Sequence, residues 1–306
     1  MYVYINGEVQ EAGAARLSVF EHGFMYGLGL FETFRIYNGH PFLLDDHFRR
    51  MENGLRWLNI AWTYDRQEVL SQLQMLMEAN GWNNAYVRYN ISAGPADSGI
   101  STQVYDNPVV IIYMKPLPAP EDIEEPSKTA EFLRIFRNTP ETPERLKSHH
   151  YLNNIAGKRE TGADPGVEGL FLTEQGAVAE GIVSNIFWRR ADTLYTPSPE
   201  TGILQGVTRS FVMKLAEAHG YYVREGRFSA DHIYRAEEAF LTNSIQEIVP
   251  LKAVGTCRYK EEQRTAARLL RKSYTTYRCF LWKAVDMKEP EREKERGRNE
   301  QQGFSF

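Results

Sequence analysis

The alternation of apolar and polar positions divides the chain into many short strands and a few helices. Tyr2, Val3, Tyr4 and Ile5 open it as a strand, Asn6-Gly7 supplies the residues a two-residue hairpin turn requires, and Val9 begins the return. A second strand pair is predicted at residues 30–37 and 41–44, turned at Asn38-Gly39. Asp45 or Asp46 can cap a helix, along which Phe48, Met51, Leu55 and Leu58 recur at helical spacing and form one apolar face. A second helix over 66–79 buries Val69, Leu73, Leu76 and Met77 and stops at Gly81. Strands at 85–92 and 109–113 flank a loop rich in Gly, Pro, Ser and Asp, residues 93–108, whose length marks it as functional or mobile.

Residues 116–128 read as a linker between a smaller N-terminal domain, 1–115, and a larger C-terminal one, 129–282. Pro116, Pro118, Pro120 and Pro126 fix φ and remove backbone donors there, which excludes a central element. Beyond the linker, 170–173 and 177–179 form a hairpin around Glu174-Gln175-Gly176, and 186–189 pairs with 193–195. A helix runs over 208–219 to Gly220, a shorter one over 155–160, and 239–242 is a further strand. Strand clusters with helices set between them predict an α+β fold with largely antiparallel sheets, not an alternating βαβ array. Residues 283–306 are charged, nearly devoid of apolar periodicity, and read as a disordered tail.

Composition narrows the function classes. The chain has 306 residues, 42% hydrophobic and 25% charged, with a formal net charge of −4. That balance offers no basic field for nucleic acid or an anionic membrane. Two cysteines, Cys257 and Cys279, make neither a disulfide framework nor a metal site and read as reduced structural thiols. The first residues lack the basic and apolar regions of a signal peptide, and no apolar run reaches the roughly 20 residues of a membrane span, so a cytoplasmic protein is expected.

Four segments are polar where a core would not require it. Arg145-Leu146-Lys147-Ser148-His149-His150-Tyr151-Leu152-Asn153-Asn154 is the first. Taken alone, its lysine is an ordinary surface lysine, and its adjacent histidines face opposite sides of a strand and lack the company a zinc site needs. Glu180-Gly181-Ile182-Val183-Ser184-Asn185 places one carboxylate at the end of a hairpin, where an edge-strand glutamate would also sit. Thr201-Gly202-Ile203-Leu204-Gln205-Gly206-Val207-Thr208-Arg209 runs a Gly-flanked turn into a helix start, a ready anion site that any capped helix resembles. Leu241-Thr242-Asn243-Ser244-Ile245-Gln246 ends a strand in small polar residues that suit a ligand or an ordinary turn.

In this order, and preceded by Glu21-His22-Gly23-Phe24-Met25-Tyr26-Gly27-Leu28-Gly29-Leu30-Phe31-Glu32-Thr33 and His47-Phe48-Arg49-Arg50-Met51, these segments resemble the fold-type IV enzymes dependent on pyridoxal 5′-phosphate (PLP). The resemblance covers roughly residues 1–275 and implies a two-domain α+β fold, PLP as cofactor and a homodimer. It implies that Lys147 bonds to PLP, that Glu180 pairs with the pyridine nitrogen, and that Arg50, Val207, Thr208 and Ser244 hold the phosphate. Tyr151 lies near the position of a tyrosine that contacts the phenolic oxygen.

Within the family the nearest resemblance is to Bacillus-type aminodeoxychorismate lyases, carried by residues 145–154, Tyr89-Asn90-Ile91-Ser92-Ala93-Gly94 and the opening Phe24 to Thr33. D-amino-acid transaminases carry an Arg-x-His where this chain has Ser98-Gly99-Ile100, and a tyrosine where it has Phe31. Branched-chain enzymes carry Gly-Thr-Ala-Ala where it has Asn243-Ser244-Ile245-Gln246. The resemblance implies cleavage of 4-amino-4-deoxychorismate to 4-aminobenzoate and pyruvate, with Lys147 as base, Thr33 as a helper, and Phe31, Arg88, Asn243 and Ile245 near the substrate. The alternatives are a D- or branched-chain amino-acid transaminase on the same cofactor site and a binding protein without turnover.

Overall fold

The computed structural model describes residues 1–97, 99–122 and 126–288. Strands β1 (Tyr2–Ile5) and β2 (Glu8–Glu11) form the first hairpin, with Asn6 and Gly7 both at positive φ as its turn demands. A five-residue helix α1 (His22–Tyr26) precedes β3 (Gly29–Tyr37) and the two-residue β4 (His40–Pro41). Helices α2 (Leu44–Trp57) and α3 (Arg66–Asn80) follow, then β5 (Ala85–Ser92) and β6 (Val109–Pro116). These strands make one sheet in the order β2-β1-β6-β5-β3-β4, antiparallel at every pairing. Phe48, Met51 and Leu55 of α2 and Val69, Leu73 and Leu76 of α3 bury their apolar stripes against Phe34, Ile36, Val87 and Tyr89 of that sheet. Each fully buried side chain of this size contributes about 1.5–3 kcal/mol relative to exposure.

The second sheet is built from β7 (Lys128–Phe132), β8 (Val167–Leu172), β9 (Val178–Gly181), β10 (Asn185–Arg190), β11 (Thr193–Pro197), β12 (Tyr222–Gly226), β13 (Glu238–Asn243), β14 (Glu247–Val254) and β15 (Cys257–Arg258). Its helices are α4 (Leu152–Thr161), α5 (Val207–Ala218), α6 (Ala230–Tyr234) and α7 (Thr265–Tyr277). The order β12-β11-β10-β13-β14-β7-β8-β9, with β15 beside β14, is mostly antiparallel; β11/β12, β14/β7 and β7/β8 are parallel. The class is therefore α+β, as expected.

Several sequence expectations change. Residues 42–44 do not extend the second hairpin; they turn into α2. Neither Asp45 nor Asp46 is the N-cap, because the helix already starts at Leu44 and both aspartates lie in its first turn. The cap is tertiary: Leu43, at φ 53°, and Asp45 donate their N–H groups to the carbonyls of Leu281 and Trp282. A leucine in that conformation costs about 1–2 kcal/mol, which its complete burial and this bond offset. Strands β6 and β7 take up Pro116 and Lys128, so the irregular connection is shorter than the predicted linker at both ends.

The first residues of the expected tail are packed rather than free. Ala284 is buried, its N–H reaches Asp46 Oδ2 at 2.6 Å, and Lys283 Nζ lies 3.6 Å from Asp45 Oδ2. Residues 289–306 lie outside the described residues. Among the described residues no helix is long and apolar enough to cross a membrane.

Candidate active site

Between the two sheets lies a cavity of 760 Å³. Lys147, Glu180, Arg50, Val207, Thr208, Ser244 and Tyr151 line it. So do Thr33, Phe31, Arg88, Asn243 and Ile245. Residues from both halves of the chain, far apart in sequence, thus meet at one site. Of the Ser98-Gly99-Ile100 stretch, Ser98 lies outside the described residues.

Lys147 is placed by backbone pairing. Its carbonyl accepts the Phe31 N–H at 2.9 Å and the His149 N–H donates to the Gly29 carbonyl at 3.0 Å, so residues 147–149 run alongside the start of β3. Among the described residues its ammonium makes no hydrogen bond or ion pair; it stands 4.7 Å from the centre of the Phe31 ring. Burial, and next the charge of Arg50, pull it down to about 8. An amine so placed is a base and nucleophile near neutral pH, not a solvated surface cation.

Glu180 is the penultimate residue of β9, 4% exposed. Its Oε1 accepts from Arg137 Nε at 2.9 Å and has Arg145 Nε at 3.8 Å; its Oε2 accepts from the Leu204 N–H at 3.0 Å and from Asn185 Nδ2 at 3.4 Å. Gly181 follows because a Cβ there would meet Ser184 Oγ at 2.2 Å. Burial is the main reason that Arg145 is lowered to about 10, with Arg137 next.

Arg50 approaches from α2. Its Nε and Nη2 donate to the two oxygens of Glu32 at 2.8 and 2.6 Å, and Nη1 donates to the Gln205 carbonyl at 2.7 Å. Two of its five N–H groups are left for an anion. Opposite it, α5 starts at Val207 after Gly206, which has no side chain to cap the helix, so the first-turn N–H groups remain available. Thr208 Oγ1 and Ser244 Oγ stand 3.1 Å apart at that end. Burial would raise Glu32, but Arg50 and the His47 hydrogen bond outweigh it and hold Glu32 at about 2.

The pattern of the family described as amino-transferase class IV matches residues 29–254. The chain belongs to that family. Over 274 residues, 89% of this chain and 93% of the other, it is 47% identical to the aminodeoxychorismate lyase of Bacillus subtilis. It is 31% identical to a putative branched-chain-amino-acid aminotransferase of Methanocaldococcus jannaschii, over 82% of this chain and 87% of that one. Among solved structures, the branched-chain amino acid aminotransferase of Escherichia coli superposes with a TM-score of 0.78 at 25% identity, covering 90% of this chain and 94% of that one.

In this class IV chain, sequence reasoning missed five residues of the site. Glu32 and His47 lie inside motifs that carry the resemblance but have no role there; Arg137, Arg145 and Asn185 give no sign in the sequence that they meet Glu180. One signal was readable. Leu30, Glu32, Phe34 and Ile36 share one face of β3, and a carboxylate in an otherwise apolar face has to be paired. Among the described residues no three His, Cys, Asp or Glu side chains gather to hold a metal ion.

Proposed function

We propose that this protein is a PLP-dependent 4-amino-4-deoxychorismate lyase, releasing 4-aminobenzoate and pyruvate. One observation carries the reading. A buried amine, Lys147, lowered to about 8, faces a cavity also lined by Arg50 and Glu180, in a chain 47% identical to a lyase of that name. The residues fit the cofactor. Free helix N–H groups, two hydroxyls and the spare donors of Arg50 suit a phosphate, and a buried carboxylate suits a protonated ring nitrogen.

Bound PLP supplies an electron sink for the pair left behind when a proton is removed next to the substrate nitrogen. Lys147 Nζ would hold the cofactor, and the same Nζ, when unattached, is the base nearest the reacting carbon. The free Nζ then removes the proton from the amino-bearing ring carbon. Glu180 would keep the ring nitrogen protonated, Tyr151 would meet the phenolic oxygen, and Arg50, Val207, Thr208 and Ser244 would hold the phosphate. Thr33, Phe31, Asn243 and Ile245 surround the substrate. The ring proton returns through Lys147 or water to the departing enolpyruvyl group, so no water is consumed, and aromatisation drives the step.

Arg88 takes a substrate carboxylate. Its guanidinium lies 3.6 Å from the Phe31 ring centre, its Nε donates to Asn90 Oδ1 at 3.0 Å, and among the described residues it has no carboxylate partner. Arg88→Leu is expected to lower kcat/KM about 10–100-fold, mainly through KM, the effect of losing a charge-assisted contact. Steady-state kinetics with KM unchanged would remove Arg88 from this role.

Attachment of added PLP requires neutral Lys147. Its rate is expected to rise about tenfold per pH unit below the Lys147 value of about 8 and to level above it. Stopped-flow absorbance of the PLP-free protein checks this; a rate that still climbs steeply at pH 10 would mean an ordinary lysine.

The decisive assay follows products. Release of 4-aminobenzoate from aminodeoxychorismate with no keto acid added supports the lyase. Efficient amino exchange with 2-oxoglutarate and no such release would make the protein a transaminase, the second reading, which the similarity to branched-chain aminotransferases favours.

The same proposal includes two domains, 1–115 and 129–282, a cytoplasmic location and a homodimer. Exposed Val19, Phe20 and Phe24, beside the glycines 27 and 29 that line the cavity, support the dimer.

A further inference from the structure

His47 is fully buried on α2 and the proposed chemistry gives it no task. Its Nδ1 pairs with Glu32 Oε2 at 2.7 Å, which holds a hydrogen on Nδ1 and leaves Nε2 to face Ser244 Oγ at 3.4 Å. Ser244 Oγ in turn meets Thr208 Oγ1 at 3.1 Å. A line of polar groups thus runs from a buried carboxylate to the start of α5. Arg50 alone already donates to both oxygens of Glu32, so burying an imidazole there needs another reason.

The direction of the hydrogens along that line depends on His47. When the imidazole is neutral, Nε2 is an acceptor: Ser244 donates to it and Thr208 donates to Ser244. Neither hydroxyl then has a hydrogen for an anion at the helix start. When the imidazole is protonated, Nε2 donates to Ser244, and the hydrogens of both Ser244 and Thr208 are free to point at the anion. We propose that His47 is a positioning residue of the phosphate site, whose protonation turns the Ser244–Thr208 pair outward, so that a phosphate monoester binding at the start of α5 takes up a proton at His47.

This rests on the PLP reading and deepens it. The charged groups facing His47 are Glu32 from β3, Arg50 from its own helix and Lys147 from the segment before α4; the uncharged ones are Ser244 and the ring of Phe34. In the free protein burial lowers His47 first, with Arg50 and Lys147 adding to it against the pull of Glu32. A phosphate reverses that balance by adding negative charge on the far side of Ser244. Because the free-state value is depressed and the bound-state value raised, affinity is greatest below the first and falls as pH rises towards the second.

The test uses pyridoxine 5′-phosphate, which carries the phosphate but no aldehyde, so Lys147 does not react. Its binding to the PLP-free protein is followed by calorimetry from about pH 5.5 to 8.5, around the histidine range, in buffers of different ionisation heat. The wild type is expected to take up more protons per ligand than His47→Gln. Its affinity is expected to fall more steeply with pH than that of His47→Gln, by up to about a further tenfold per pH unit. Gln keeps an amide donor where Nε2 stood but does not titrate. The ester's own second ionisation contributes equally to both proteins and cancels.

Equal proton uptake and equal slopes would overturn the proposal. Should His47→Gln not fold, NMR titration of the wild-type His47 ring decides: its pKa is expected to rise on binding, and an unchanged value overturns the idea. A wild type that binds PLP normally yet shows no His47 response loses this inference alone. One that binds neither PLP nor the probe loses the function reading as well.

Discussion

Replacing Lys147 by alanine is expected to lower kcat for 4-aminobenzoate release by about 10⁴-fold or more. The side chain is asked to do two things, anchoring the cofactor and moving the ring proton, and general-base catalysis alone is worth about 10²–10⁴-fold. The visible absorbance of PLP bound to the wild type should be replaced in the variant by that of unattached PLP. The fold should survive, because among the described residues the Lys147 ammonium has no hydrogen bond or ion pair to lose, and burial already disfavours its charge. A Lys147→Ala protein that keeps the wild-type absorbance and turnover within tenfold would place the attachment site elsewhere.

The second large effect is expected at Glu180. Glu180→Gln keeps the size and some of the hydrogen bonding but removes the charge that faces Arg137 at 2.9 Å and Arg145 at 3.8 Å. Leaving buried Arg137 without its counter-ion costs about 3–5 kcal/mol, visible as a lower midpoint of chemical unfolding. Loss of the charge that keeps the ring nitrogen protonated should lower kcat by about 10²–10³-fold, the scale of losing one preorganised electrostatic contact. The two readouts separate two roles. A destabilised variant with kcat within threefold of wild type would make Glu180 a structural partner of Arg137 and nothing more.

How much of this was readable beforehand differs between the fold and the site. Local signals served where local physics decides. Asn6-Gly7 gave the first turn, Gly81 the end of α3, and the spacing of Phe48, Met51 and Leu55 the buried face of α2. They failed where a distant segment decides. Asp45 and Asp46 look like caps, yet carbonyls of residues 281 and 282 do the capping. Strand β14 went unread because it follows Asn243-Ser244-Ile245-Gln246 directly, and Glu247 holds a positive φ of 63° at its start. Lys147 is the sharpest case. Its own sequence context reads as surface; its burial comes from β3, whose residues 29–31 pair with 147–149. The recurrence of ordered motifs identified the candidate residues, but the contacts that tune them, such as Arg137 on Glu180 or Glu32 on Arg50, are set by folding and carry no spacing of their own.

The tertiary cap of α2 also bears on how the chain reaches this structure during synthesis. The groups that satisfy the start of that helix come from the segment at residues 281–284, and Ala284 bonds to Asp46 across 238 residues. At about 5–20 residues per second, that segment leaves the ribosome roughly 12–50 s after the helix itself. For all of that time the helix bearing His47 and Arg50 has an open first turn and Leu43 has no partner to hold its left-handed backbone. The nascent N-terminal half can pair its strands early, but the helix that carries Arg50 to the cavity is capped only when the other end of the chain arrives.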